Sequence, residues 1–139
     1  MKILFDTNVV LDVLLNRQPF AADAIHLFSA VEQALIQGFL CATTITTLDY
    51  LCTKAIGRPS AKNAVNGLLE LFSVAEVNRC VLKAAIASDF TDFEDAVLYQ
   101  AGICVGIDGL VTRNAKDFNL AECPVYHPNE LCNVVQKVL

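Results

Sequence analysis

The amino-acid sequence predicts an α/β domain built on a parallel sheet. Short apolar runs of strand length alternate with longer segments whose apolar residues recur at helical spacing. That alternation calls for right-handed crossovers, which place helices on both faces of a mostly parallel sheet. The chain has 139 residues, 55% of them hydrophobic and 18% charged. This suffices for one full core, so residues 1–139 are read as a single domain without linker, repeat or low-complexity segment.

The elements follow in order. "KILF" reads as a buried strand ending at Asp6, and "NVVLDVLLN" as a helix with Val10, Leu11, Leu14 and Leu15 at helical spacing. "RQP" breaks it. "FAADAIHLFSAVEQALIQG" reads as a long amphipathic helix with Gly38 as its C-cap. "FLCATT" is a second strand, and "ITTLDYLCTKAIG" a helix stopped by Gly57. "RPSAKNAVNGLLELF" begins a new helix with Ser60 as N-cap. "SVAEV" is a short third strand, and "NRCVLKAAIAS" a helix capped by Asn78. "DFEDAVLYQAGIC" is a helix, "GLVT" the fourth strand and "PVY" a weak fifth. "PNELCNVVQKVL" forms the terminal helix.

Charge and cysteine usage narrow the function classes. The net charge of −5 gives no global positive field to advertise a nucleic-acid partner. A bound metal ion can still reverse the sign of one local site. The six cysteines form no CxxC pair and no zinc-finger spacing with His26 or His127, so they read as reduced thiols packed as small apolar residues. Asp6 and Asp12 interrupt the N-terminal apolar stretch, and no small-residue cleavage site follows, which argues against a signal peptide. The charge-free stretch between Glu32 and Asp49 contains two glutamines, a glycine and four threonines, so no membrane span is expected. A soluble protein of the cytoplasm is the expectation.

The acids carry the chemistry. In open α/β sheets, ligands bind beyond the carboxyl ends of the strands. Asp6 sits at such an end, and Asp117 follows "GLV" in "TRNAKDF". Both adjoin apolar strand sequence, where an unpaired charge is costly. Asp92 and Asp95 lie three apart in the first turn of a helix and share one face, while Glu94 points elsewhere. Phe93 and Val97 are placed against the sheet. The structural readings are an N-cap for Asp92, dipole compensation for Glu94, solvated charge for Asp89 and Asp12, a strand-turn residue for Asp108 and a turn residue for Asn114.

If Asp6, Asp95 and Asp117 converge, their charges conflict. Two carboxylates about 4 Å apart repel by roughly 4 kcal/mol at an effective dielectric near 20. Either one pKa rises or a cation sits among them. An oxygen-only set favours a hard ion, Mg²⁺ or Mn²⁺, and such ions take phosphate oxygen as a remaining partner. Phosphodiester hydrolysis by metal-activated water is the matching chemistry. Thr7 or Asn8 is placed to bond a carboxylate, Thr112 to orient the attacking water, and Arg113 and Lys116 to hold substrate phosphate.

The segments "FDTNVVLDVLLNRQP", "DFEDAVLYQAG" and "GLVTRNAKDF" together resemble, in order and spacing, the PIN domain, a family of metal-dependent ribonucleases. The resemblance spans Lys2 to about Pro128 and extends to VapC-type toxins of toxin–antitoxin pairs. It implies a three-layer α/β/α sandwich with acids at one end of the sheet holding Mg²⁺ or Mn²⁺. Asp6, Asp95 and Asp117 match the family's acids and Asp92 an accessory acid. Thr112 and Asn114 match polar positions beside the metal. The implied partners are an RNA substrate and an antitoxin. The apolar faces of the second to fourth helices suit a homodimer.

One position departs from the pattern. The family usually carries a Glu on the helix after the second strand, and alignment on "YLCTK" puts Thr47 there. Asp49, two residues on, turns about 200° away around the helix. A three-acid core is therefore expected. The leading expectation is an endoribonuclease with Asp6, Asp95 and Asp117 on the ion, Thr112 beside the water, and Lys54, Arg58 and Lys62 as further substrate contacts. The alternative is a catalytically weak or inactive module that binds RNA or a protein. A phosphatase of the haloacid dehalogenase type fits poorly, since it requires Asp two residues after the first, where Asn8 stands.

Overall fold

The computed structural model describes residues 1–138. Its five strands are β1 (Lys2–Phe5), β2 (Gln37–Cys41), β3 (Ser73–Ala75), β4 (Gly109–Val111) and β5 (Val125–Tyr126). All neighbours pair in parallel, in the order β3-β2-β1-β4-β5. The helices among the described residues are α1 (Thr7–Leu14), α2 (Ala21–Glu32), α3 (Ala42–Ile56), α4 (Arg58–Leu71), α5 (Arg79–Ala87), α6 (Phe93–Val105) and α7 (Pro128–Val138). The final residue of the predicted terminal helix, Leu139, lies outside the described residues.

Alternation along the central strand divides the core into two layers, because successive side chains of a strand point to opposite faces. Ile3 and Phe5 join the cluster built with α1 to α4 and α7, whereas Leu4 joins the cluster built with α5 and α6. The expected three-layer α/β/α arrangement is therefore present. Phe5, Phe28 and Phe72 meet edge to face at centroid distances of 5.0 to 6.1 Å. Such pairs each add about 0.5–1.5 kcal/mol beyond the area they bury.

Two helix ends differ from expectation. The helix after "RQP" stops at Glu32, not Gly38. Leu35 N–H donates to Ala30 O and Ala34 N–H to Val31 O, with Ala34 at φ 60°. This is a Schellman closure with alanine in the left-handed position that usually takes glycine. Gly38 instead lies in β2, where a Cβ would stand 2.6 Å from the Phe72 ring. The helix expected to start at Ser60 starts at Arg58, capped by Gly57 with φ 86°. Pro59 sits in its first turn, where the missing N–H has no partner to lose.

The strand order places a topological switch at β1. The chain goes from β1 to β2 on one side, and β4 lies on the other. The crevice beyond the carboxyl ends of β1 and β4 is where a sheet of this kind binds ligands.

Candidate metal centre at the carboxyl end of the sheet

Asp6 occupies that crevice. Its N–H donates to Val111 O at 3.0 Å, carrying the β1–β4 ladder one residue past the strand. The chain then turns into α1, and Asp6 is its N-cap: Oδ1 accepts from Thr7 N at 2.8 Å. Oδ2 accepts from the Thr112 hydroxyl at 2.7 Å and lies 3.4 Å from the Asn8 amide. Only 8% of Asp6 is exposed. No Lys, Arg or His pairs with it among the described residues. Burial raises its pKa, the Thr112 and Thr7 hydrogen bonds act the other way, and the charges of Asp117 and Glu94 raise it further.

Thr112 follows β4 and is wholly buried. Its N–H donates to Tyr126 O at 3.0 Å, its hydroxyl proton goes to Asp6, and its oxygen accepts from Asn114 N at 3.0 Å. The hydroxyl expected to orient a water holds Asp6 instead, since its one proton is committed and no surface remains for solvent. Asn114 is exposed, and its backbone caps the 3-10 turn Ala115–Phe118 that carries Asp117. Phe118, 1% exposed, anchors that turn in the α5–α6 layer and leaves Asp117 at the surface.

The third acid comes from α6. Asp92 caps this helix by accepting from Asp95 N at 2.9 Å, as read from the sequence. Asp95 is half-buried, and its pKa is pushed up to about 7. Burial is the largest cause, followed by the charges of Asp92, Asp6, Asp117 and Glu94. Residues from three separate segments thus share one electrostatic environment. Close helix–sheet contact helps to set it: a Cβ on Gly102 of α6 would stand 2.9 Å from Leu4 and 2.8 Å from Ile107. Phe93, by contrast, is half-exposed and does not pack against the sheet, whereas Val97 is buried.

Three charged residues behave differently from their sequence readings. Asp12 is 0% exposed, not solvated. Arg17 Nε donates to its Oδ1 at 2.9 Å, and Arg113 donates to both oxygens, Nε at 2.7 Å and Nη2 at 3.2 Å. The Arg113 guanidinium also lies 3.9 Å over the Phe20 ring. A fork held on both sides in this way fixes the loop after β4 to α1, which makes Arg113 a poor free clamp for phosphate. Asn8 completes the tie, its side-chain Oδ1 accepting from Arg113 N at 3.4 Å. Glu94, expected to point away, accepts from the Thr47 hydroxyl on α3 at 3.2 Å.

Other sequence readings are settled by simple pairings. Asp49 is bound by Arg58. Lys54 lies 4.8 Å over the Tyr50 ring. Asp108 accepts from Lys2 N, a strand-turn contact. The six cysteines are unpaired. No helix is long and apolar enough to cross a membrane among the described residues.

The donor chemistry fits a hard divalent ion: carboxylate oxygens from Asp6, Asp95 and Asp117, none matched by a cationic side chain among the described residues. Among the described residues, no three His, Cys, Asp or Glu side chains form a group ready to hold an ion.

A parallel sheet with acids at its switch point defines a class of open α/β domains that bind ligands beyond the strand ends, and comparison with known proteins specifies it. A family model described as PIN domain matches residues 2–116. The chain belongs to the PIN domain family. No curated protein matches it. Among solved structures, the VapBC2 complex of Rickettsia felis, bound to a DNA fragment from its promoter, is similar with TM-score 0.67 and 12% identity, over 91% of this chain and 98% of that one. A toxin–antitoxin complex from Klebsiella pneumoniae gives TM-score 0.68 and 21% identity, over 91% and 97%. VapC20 of Mycobacterium tuberculosis, a toxin that cleaves the sarcin–ricin loop, gives 0.63 and 15%, over 78% and 86%.

Proposed function

We propose that the protein is a divalent-metal-dependent endoribonuclease and the toxin of a toxin–antitoxin pair, working in the cytoplasm on RNA. One observation carries this reading. Asp6 is a buried carboxylate at the switch point, without a cationic partner among the described residues, and its pKa is raised partly by the charge of Asp117. Asp95 adds to the same field. Such a set is tolerable when ionised only if an external cation completes it.

Asp6, Asp95 and Asp117 would hold Mg²⁺ or Mn²⁺, with Asp92 as accessory acid. When bound, the ion supplies a water of lowered pKa and polarises the phosphate. The chain's own part is positional. Thr112 and Thr7 fix the Asp6 carboxylate by hydrogen bonds at 2.7 and 2.8 Å. Asn8 and the Asp12–Arg113 pair fix the loop that carries Thr112 and Asn114. Lys116, exposed beside Asp117 and in no ion pair among the described residues, would meet substrate phosphate.

The neighbours solved as toxin–antitoxin complexes support an antitoxin partner. Exposed Ile25, Tyr50, Ile56 and Leu69 on α2 to α4 support a homodimer. The test of the activity is hydrolysis of RNA by the purified chain with Mg²⁺ or Mn²⁺. Cleavage is expected to stop with a chelator and to fall at least about 100-fold in Asp6→Asn and in Asp117→Asn. Hydrolysis retained in both variants would overturn the mechanism. Thr47, standing where the family usually has Glu, favours a second reading: a weak or inactive module that binds RNA or protein. Metal-independent RNA binding without cleavage on any substrate would select it.

A further inference from the structure

We propose that the cavity at the carboxyl edge of β4 and β5 holds an unpaired guanine base of the RNA, next to the scissile phosphate. The inference rests on the ribonuclease reading of the acids and adds a base-selective subsite to it. Phe20, Asp23, Arg113, His127 and Asn129 line this cavity of about 200 Å³. A water takes about 30 Å³ of liquid, so the space suits a ring and not a lone ion. Asp6, Arg113 and His127 lie just past β1, β4 and β5, at one edge of the sheet. Neighbouring strands are about 4.8 Å apart, so β5 ends roughly 10 Å from β1. A nucleotide adjoining a phosphate at Asp6 can span that distance. Asn8 links the two places: its amide lies 3.4 Å from Asp6 Oδ2, and its Oδ1 accepts from Arg113 N at 3.4 Å.

The lining selects the ligand. The Arg113 guanidinium lies 3.9 Å over the Phe20 ring, which stays 38% exposed. Aromatic rings and guanidinium planes are the surfaces on which unpaired bases stack. The Asp23 carboxylate is in no ion pair among the described residues. His127 Nδ1 shares a 2.7 Å hydrogen bond with Asn129 Oδ1. That oxygen can only accept, so Nδ1 carries the proton and Nε2 of the neutral ring is left as an acceptor. The Asn129 amide hydrogens are donors. Guanine matches this set: N1–H and the N2 amine are adjacent donors for a carboxylate, and O6 accepts from an amide. Adenine and cytosine place an acceptor nitrogen beside their amine, which repels a carboxylate. Asp23 disfavours a phosphate here, and Arg113 is committed to Asp12 through Nε and Nη2. A guanidinium from a protein partner is disfavoured by Arg113, already stacked on Phe20.

The test uses short RNAs of uridine with one central guanosine, inosine or adenosine, cut by the full chain with Mn²⁺. Selectivity is read as the ratio of kcat/KM, and circular dichroism confirms the fold of each variant. The guanosine RNA is expected to be preferred over the adenosine RNA by about ten-fold or more, with inosine between them because it lacks the N2 amine. Asp23→Asn is expected to bring guanosine and adenosine to within about two-fold, by slowing the guanosine RNA alone. A merely structural role for Asp23 would slow all three together. Phe20→Leu is expected to lower kcat/KM on the guanosine RNA about five-fold or more through lost stacking. Equal cleavage of the three RNAs by the parent, or a guanosine preference unchanged in Asp23→Asn, would overturn the subsite and leave the ribonuclease reading standing. No cleavage of any RNA by the parent would overturn both.

Discussion

The Asp12 carboxylate is fully buried and takes three hydrogen bonds from Arg17 and Arg113. Removing one member of a buried ion pair costs more than the pair contributes, because the remaining charge is stranded. Arg17 is 38% exposed and can turn to solvent, whereas Arg113 is 21% exposed and sandwiched against Phe20. Asp12→Asn is therefore expected to cost about 2–4 kcal/mol, below the full penalty for two stranded charges. Urea denaturation checks this, and a loss below 0.5 kcal/mol, on the order of a surface change, would mean that the arginines are resolvated freely. The residue was unreadable from sequence for a simple reason. Its helical neighbours are apolar, but its partners lie 5 and 101 positions away, and only folding brings the second of them close.

Each acid arrives at the site through the terminus of a regular element. Asp6 caps α1, Asp92 caps α6 with Asp95 in its first turn, and Asp117 rides a 3-10 turn pinned by Phe118. Local capping chemistry thus fixes where the carboxylates lie before any ligand is considered. The asparagine cap was legible in the same way: Asn78 accepts from Val81 N at 3.0 Å. The end of α2 was not, because an alanine occupies the left-handed position. Ala34→Gly is expected to stabilise the protein by about 0.5–1 kcal/mol, since glycine adopts this conformation without the Cβ clash. Thermal unfolding measures it. An unchanged or lower Tm would mean that the unfolded-state entropy of glycine outweighs the relief.

For the whole molecule, the acids couple stability to pH. Asp95 has a folded pKa of about 7 against an ordinary value of 3.8. A carboxyl of this kind binds its proton more tightly when folded, so it favours folding at low pH. That contribution is lost as pH rises from about 4 toward 7. In the absence of divalent metal, Asp95→Asn is expected to be more stable than the parent at pH 8. After solvent screening the gain is on the order of 1–2 kcal/mol, shrinking as pH falls through that window. Denaturant titrations at pH 5 and pH 8 test it; a parent chain as stable as the variant at pH 8 would remove the charge conflict. Asp6 works in the same direction. Unfolding monitored with Mn²⁺ present should shrink the difference, because an ion at the site favours the ionised acids.

The alternation of short apolar runs with helical spacing determined the α/β class, the parallel sheet, and most of the elements. Those depend on neighbours a few positions apart, and periodicity records them directly. The capping roles of Asp92 and Asn78 were legible for the same reason, whereas Thr47 stood out only through the family resemblance. Only the tertiary structure decided that Asp12 is internal, that Thr112 gives its proton to Asp6, and that Glu94 meets Thr47. Each is a contact between segments separated by 47 to 106 positions, or a burial set by such contacts. Hydrogen bonds and ion pairs act over a few ångströms, so a side chain's partner is defined only once strand order and helix packing have brought distant segments together.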